Sequence, residues 1–287
     1  MVNTTSINRF AVMALAASLA ALMTACGGGG GGGADAPVSG GNPAAASAPA
    51  PAPPAPPAAS PAPPTIASAQ GLYEGTIGSR MAGTIVLESG RYYVLYAQEK
   101  HPELIAGVVV GDLSIGAGGN TFTSSNMRDY NLETMRRFYG NLAGTFTPKG
   151  QMAGTATSGT NSVTFAGTYS KAYEAPATLP AVAGTYTGDV GTQFGVESMT
   201  LKILPNGALS GTSQTGCNIH GGMGPAGGGN AAYALQFTFG QGCKLYGTNY
   251  SGHAILTRGT LLRAVATAPD LSDLALFVGS KPAGSVQ

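Results

Sequence analysis

Apolar residues recur at every second position over short stretches of this chain, and Gly-bearing turns separate the stretches. Ala232 to Phe239 is the clearest case. Tyr233, Leu235, Phe237 and Phe239 fall on one side, and Ala234, Gln236 and Thr238 on the other. Such alternation predicts a strand with one buried and one wet face. Met199, Leu201 and Ile203 repeat it ahead of Pro205-Asn206-Gly207, where Pro sets φ and Asn-Gly accepts positive φ. Residues 161–169 place Val163, Phe165, Gly167 and Tyr169 on one face. Residues 84–88 and 91–96 flank Ser89-Gly90, a two-residue hairpin turn. Many short strands with Gly-bearing turns predict an all-β, antiparallel barrel or sandwich.

One segment breaks the pattern. Asn126 as an N-cap, Asp129 in the first turn, Arg136-Arg137 in the last and Gly140 as the stop predict a short helix or an irregular crossover. Its stripe of Met127, Tyr130, Thr134 and Phe138 is thin. Arg128, Tyr130, Arg136, Arg137 and Tyr139 make this segment a candidate contact surface, with a solvated face as the plainer alternative. Tyr92, Tyr93 and Tyr96, beside Arg91, are a second candidate. Their alternation splits them between faces, so at least one belongs to the core.

The folded region carries two related openings. Gly71-Leu72-Tyr73-Glu74-Gly75 and Gly184-Thr185-Tyr186-Thr187-Gly188 share G-x-Y-x-G, and each starts a segment of similar length. Either the region is duplicated or a Gly-rich β protein repeats the pentapeptide by chance. Residues 172–180, with Pro176 and Pro180, mark the boundary. The expected organisation is therefore one barrel-like repeat over 69–176 and another over 177–287, with one larger barrel-sandwich as the alternative.

What precedes residue 69 is of another kind. An apolar run from Phe10 to Met23 follows Arg9, is short for a membrane span and ends in Thr24-Ala25-Cys26. Gly27 to Gly33 read as flexible coil, and residues 37–64 alternate Pro with Ala and Ser. Polyproline II geometry would extend that stretch on the order of 80 Å. Residues 1–25 are thus a predicted signal peptide and 26–68 a disordered tether. The chain of 287 residues is only 9% charged with a formal net charge of +1. So low a charge offers no electrostatic basis for binding nucleic acid.

Leu22-Met23-Thr24-Ala25-Cys26 resembles the lipobox of bacterial lipoproteins, with Met23 in place of the usual Leu. The resemblance implies cleavage before Cys26, lipidation of Cys26 and, with Gly27 rather than Asp next, residence at the outer membrane, on either face. Lipobox, tether, G-x-Y-x-G openings and Gly/Thr-rich strands together resemble the barrel modules of Gram-negative surface lipoproteins, such as those of transferrin-binding protein B. That resemblance implies small eight-stranded barrels as scaffolds, with loops that contact host or periplasmic proteins. It transfers no ligand-binding residue.

Chemistry is sparse. Cys217 and Cys243 remain once Cys26 is lipidated, and in an exported chain such a pair is expected to form a disulfide, closing Gly221 to Asn230 into a loop. The alternative is a zinc site from Cys217, His220, Cys243 and His253, without zinc-finger spacing. Gly222-Met223-Gly224-Pro225-Ala226-Gly227 matches G-x-G-x-x-G, but Pro225 removes a donor and no helix pattern follows. No nucleophile elbow is present. His101 reads as a loop residue and His253 as a strand-start residue in an exposed or edge position; Ser251 shares its face without a carboxylate orienter. Asp270 and Asp273 sit in a predicted turn. No catalytic residue and no cofactor is expected, and the function classes are, in order, a non-enzymatic envelope binding lipoprotein for a protein or small ligand, a structural or inhibitor lipoprotein or a lipocalin-like carrier, and last a hydrolase.

Replacing Cys26 with Ala tests the anchor. The protein should move from the membrane to the soluble fraction, because stable attachment needs more than one acyl chain and only the modified cysteine would carry them. Unchanged membrane association of the variant would refute the lipobox reading.

Overall fold

The computed structural model describes residues 66–283, so the predicted signal, Cys26 and the Gly/Pro-rich tether lie outside the described residues. A one-turn helix, α1 (Ile66–Ala69), leads into β1 (Gly71–Ile77), β2 (Arg80–Val86), β3 (Arg91–Gln98), β4 (His101–Asp112), β5 (Ser114–Ile115), β6 (Thr121–Asn131), β7 (Arg136–Phe146), β8 (Gln151–Ser158) and β9 (Asn161–Tyr169). All pairings are antiparallel. β4 reaches past the two-residue β5 to pair with β6, and β9 returns to β1, so eight strands close into a barrel. A 3-10 turn (Lys171–Glu174) and α2 (Leu179–Val182) connect it to a second barrel. That barrel comprises β10 (Gly184–Thr192), β11 (Gly195–Ile203), β12 (Ala208–Ser213), β13 (Asn218–Pro225), β14 (Ala232–Phe239), β15 (Asn249–Thr257), β16 (Leu261–Thr267) and β17 (Leu274–Ser280). It closes in simple up-and-down order. The fold is all-β, and two tandem barrels replace the single larger barrel-sandwich.

The shared pentapeptide has the same job in both barrels. Tyr73 and Tyr186 point inward, almost fully buried, and each hydroxyl donates to a carbonyl four residues back in the preceding helical turn: Tyr73 to Ala69 (2.9 Å) and Tyr186 to Val182 (2.8 Å). The second glycine of each pentapeptide lies on the closing seam, Gly75 opposite Gly167 and Gly188 opposite Gly279. A Cβ on Gly75 would collide with the Ala166 carbonyl, and one on Gly188 with the Val278 carbonyl. The first and last strands approach too closely there for any other residue.

The predicted turns form where expected, with Gly90 at φ 86° and Gly207 at φ 84°. The predicted helix does not. Residues 126–140 belong to β6, its turn and β7, which pair as a hairpin. A bulge between Ser124 and Met127 shifts the register. Phe122 and Met127 therefore both reach the barrel core, although their spacing is odd. The bulge turned period two into an apparent helical spacing. Asn126 caps nothing; its side chain accepts from the Asp112 amide (2.9 Å) and donates to the Asp112 carboxylate (2.8 Å). Asn131 closes the hairpin instead, accepting from the Thr134 amide at 2.8 Å.

Three apolar clusters organise the packing. Two fill the barrels, with Tyr92, Val94, Phe122, Phe146 and Phe165 in the first and Tyr186, Leu235, Phe237, Tyr250 and Phe277 in the second. The third lies between the barrels: Tyr93, Leu95, Val108 and Val110 from β3 and β4 meet Ile255, Val265, Leu274 and Leu276 from β15, β16 and β17. Strands β3 and β17 are consequently buried on both faces over most of their length.

Polar ties flank this interface. Arg128 donates to the Asp270 and Leu271 carbonyls (3.0 and 2.9 Å), and Tyr130 to Leu271 (2.7 Å). At the other end the Ala231 amide donates to the Tyr173 carbonyl (2.9 Å).

The seam predicts unequal tolerance of alanine. Gly188→Ala should lower unfolding stability by about 2 kcal/mol or more, because neighbouring backbone must move. Gly83→Ala, whose Cβ would enter open space, should stay within about 0.5 kcal/mol of the parent. Urea denaturation of both variants checks this, and equal losses would contradict the close approach.

Candidate functional site

Four concavities place the candidate residues. The interior of the second barrel holds a void of about 30 Å³ lined by Met199, Leu201, Leu235, Phe237 and Phe277. Aromatic side chains fill that barrel, with Phe237, Phe239 and Tyr250 in mutual ring contact. A drug-sized ligand needs about 300 Å³ or more, so the second barrel's centre is no carrier cavity.

A cleft of about 760 Å³ runs between the barrels, lined by Arg91, Tyr93, Asp112, Gln236, Ser251 and His253 among others. On its first-barrel wall, Arg91 of β3 and Asp112 of β4 form a two-point ion pair, at 2.6 and 3.3 Å. Tyr93 and His253 bring the two barrels into contact here, the Tyr93 hydroxyl 3.0 Å from His253 Nδ1. His253 is thus half-buried at the barrel junction rather than exposed at a strand start, which corrects the sequence expectation. Burial, and secondarily the Arg91 charge, push its pKa down to about 4. Ser251 does share its face of β15, but the group on Nδ1 is the tyrosine, and no nucleophile–base pair results.

The mouth of the first barrel opens into a pocket of about 360 Å³. Ile77, Val109, Met127 and Ala156 line its apolar part, with Phe138 and Val163 half-exposed, and Asp129, Tyr96 and Arg80 supply polarity. Tyr96 donates to Asp129 Oδ1 at 2.7 Å. Arg80 lies over the Tyr96 ring and pairs with Glu133 at 2.9 Å. Burial raises the Asp129 carboxyl to about 6, against the Tyr96 hydrogen bond and the Arg80 charge, which lower it. None of this was visible in the sequence, because the β6 bulge hid that Asp129 faces inward. The mouth of the second barrel has a comparable pocket, about 330 Å³, beside Phe194, Val196, Lys244 and the Cys217–Cys243 pair.

Cys217 and Cys243 are joined, S–S 2.02 Å. The bond does not fence off a Gly-rich loop, as the sequence suggested. Gly221 to Pro225 are part of β13, and the disulfide ties the open end of the β13–β14 hairpin. The G-x-G-x-x-G match runs from the end of that strand into the turn before β14, with no helix after it. With both thiols bonded and His220 exposed, the four residues of the zinc alternative do not converge. Among the described residues no three His, Cys, Asp or Glu side chains are placed to hold a metal ion.

The remaining candidates are structural or solvated. Asp273 is buried and accepts from Tyr250 (2.9 Å), Gln193 (3.0 Å) and the Leu274 amide (2.7 Å), so it pins a turn. Asp270 takes the Ser272 amide at 2.9 Å. His101 is exposed beside Glu103. Tyr92 and Tyr96 line the first barrel and Tyr93 lies in the interface, so all three are buried. Of the segment around residue 130, Arg128 and Tyr130 serve the barrel junction, while Arg136, Arg137 and Tyr139 stay exposed.

The His253 environment sets a pH dependence. Its folded pKa is depressed from 6.5, so its contribution to stability is complete above pH 6.5 and is lost as pH falls toward about 4. Allowing for partial exposure, the loss is about 2 kcal/mol. His253→Gln should remove that component, so the parent-minus-variant stability difference should shrink between about pH 7 and about pH 4.5. A pH-independent difference in urea midpoints would show that His253 is not held neutral.

No protein-family model and no curated protein matches this chain. Among solved structures, it is similar to a double mutant of the vaccine antigen transferrin-binding protein B from Haemophilus parasuis Hp5, at 8% sequence identity and a TM-score of 0.26. The similarity covers 70% of this chain and 65% of that one, so the chain spans less than two thirds of that protein.

Proposed function

We propose that this chain is a lipid-anchored, non-enzymatic binding protein of the bacterial envelope, and that it presents the ends of its two barrels to a protein partner. The supporting observation is the distribution of exposed large apolar side chains. Met81, Met135, Phe138, Tyr139, Val163, Phe194, Val196 and Tyr246 all lie in or next to the β1–β2, β6–β7, β8–β9, β10–β11 and β14–β15 turns. These turns share one end of the molecule, since Arg128 near the β6 end bonds Leu271 in the β16–β17 turn and Leu132 packs beside Gly191 near the end of β10. The chain enters at the opposite end, where α1 precedes β1. Among the described residues, Leu204 is the one large exposed apolar side chain that lies at that entry end.

An anchor at one end and unpaid apolar surface at the other is the layout of a displayed binding module. Exposure reaches 50% for Phe194 and 68% for Tyr246, and aromatic side chains of this kind anchor protein interfaces. The described residues contain no nucleophile–base pair in either pocket, and the low net charge fits recognition by shape and apolar contact.

Photo-crosslinking in intact cells tests the proposal. A benzophenone amino acid in place of Phe194, Tyr246 or Tyr139 should give a discrete adduct, and the same group in place of Leu204 or Lys202 should not. Adducts of equal yield at both ends, or none at either, would overturn it. Protease shaving of the same cells then distinguishes outward display from a periplasmic role.

A further inference from the structure

Apolar side chains fill both barrels, and both open into mouth pockets of similar size, but the two mouths differ in chemistry. In the second barrel the apolar side chains leave a void of about 30 Å³. In the first, Tyr73, Phe122, Phe146, Met152 and Phe165 occupy the interior, while the mouth stays open as a pocket of about 360 Å³. Its floor is barrel core: Val109, Met127 and Ala156 are each no more than 5% exposed. Its rim includes Phe138 and Val163, exposed to 39% and 37%, which a bound apolar group would cover. A concave apolar site with a few convergent polar groups is the usual form of a small-ligand site.

The polar groups select the ligand's charge. Asp129 lines the pocket and holds the Tyr96 hydroxyl on one oxygen, while the other accepts no hydrogen bond from a described residue. Arg80, the one cation among the lining residues, is already engaged: Glu133 lies 2.9 Å from its guanidinium and the Ala97 carbonyl 3.2 Å. With Arg80 offset by Glu133, the ionised Asp129 leaves the site one negative charge in excess. A carboxylate in such a half-dry setting gains most from a cation that also donates hydrogen bonds. Burial already disfavours its ionised form, so a cationic partner would relieve a cost present in the empty site.

We propose that the mouth of the first barrel binds a small amphipathic cation, with its protonated amine on Asp129 and its apolar part against Val109, Met127, Ala156, Phe138 and Val163. Tyr96 positions the carboxylate, and the Arg80–Glu133 pair fixes the pocket wall. This site lies at the barrel end proposed above for protein contact and shares Phe138 and Val163 with it, but it does not rest on that reading, since binding of a small amine to the purified chain needs no partner protein.

The test uses the full chain carrying Cys26→Ala, so that no detergent competes for the probe. Calorimetric titration with 4-phenylbutylamine, 4-phenylbutanol and 4-phenylbutyrate at about pH 8, where Asp129 is ionised, compares one apolar group with three head groups. The amine should bind about tenfold or more tightly than the alcohol and the acid. Asp129→Asn, which keeps an acceptor for Tyr96, should erase that preference while leaving the far-ultraviolet circular dichroism unchanged. Ala156→Leu, which fills the floor, should weaken all three, and it decides the matter if the Asn variant does not fold. Absence of amine binding, equal or tighter binding of the alcohol or acid, a preference retained in Asp129→Asn, or amine binding untouched by Ala156→Leu would each overturn the site.

Discussion

The apolar contact between the outer face of one barrel and the outer face of the other is what the rest of the molecule is arranged around. A closed barrel needs only its inward residues to be apolar. Here β3 and β4 on one side, and β16 and β17 on the other, carry apolar residues outward as well, and those outward residues form a third core. Each large aliphatic side chain buried there contributes about 2 kcal/mol. Barrels of this size bury a modest fraction of their surface alone, so a shared core matters more here than it would in a large domain. It also determines which residues become polar ties: Arg128, Tyr130 and His253 all meet the opposite barrel at the margins of this contact.

Closure of each barrel rests on a second constraint. The first strand must approach the last one closely while its tyrosine is drawn back onto the helical turn before it. The inward Tyr73 and Tyr186 and the seam glycines Gly75 and Gly188 solve this identically. Lys281 strengthens the second copy, donating to the Ala181 and Ala183 carbonyls at the end of α2. The two barrels nonetheless diverge at their mouths. Contacting aromatic rings fill both interiors, but Asp129 and Tyr96 line the first mouth, whereas Glu197, Lys244 and the disulfide line the second.

These constraints give the molecule two unlike ends. The entry end carries the start of the folded region and the contact between Tyr173 and Ala231. The turn end carries exposed aromatic and aliphatic side chains, both barrel mouths and the disulfide that ties the open end of β13 and β14.

Strand identity was legible from local pattern wherever one face meets water. Residues 232–239 and 199–203 alternate cleanly, and the turns at Ser89-Gly90 and Asn206-Gly207 could be read directly, because the side-chain period and the φ preferences of Gly and Asn are local properties. The repeated G-x-Y-x-G was legible as a pattern, and its role in closing two barrels came only with the partner strands. The sequence misled at residues 126–140, where one bulge shifted the phase of β6 and produced a helix-like spacing. It also placed His253 at an exposed or edge position, since nothing near Gly252 and Ala254 indicates that a tyrosine 160 residues away will meet its ring. Local chemistry by itself determined most strands and the turns between them. Which faces are doubly buried, which carboxylate lies in a barrel mouth and which end is left exposed were decided by tertiary structure, because each depends on what packs against a strand rather than on the strand's own residues.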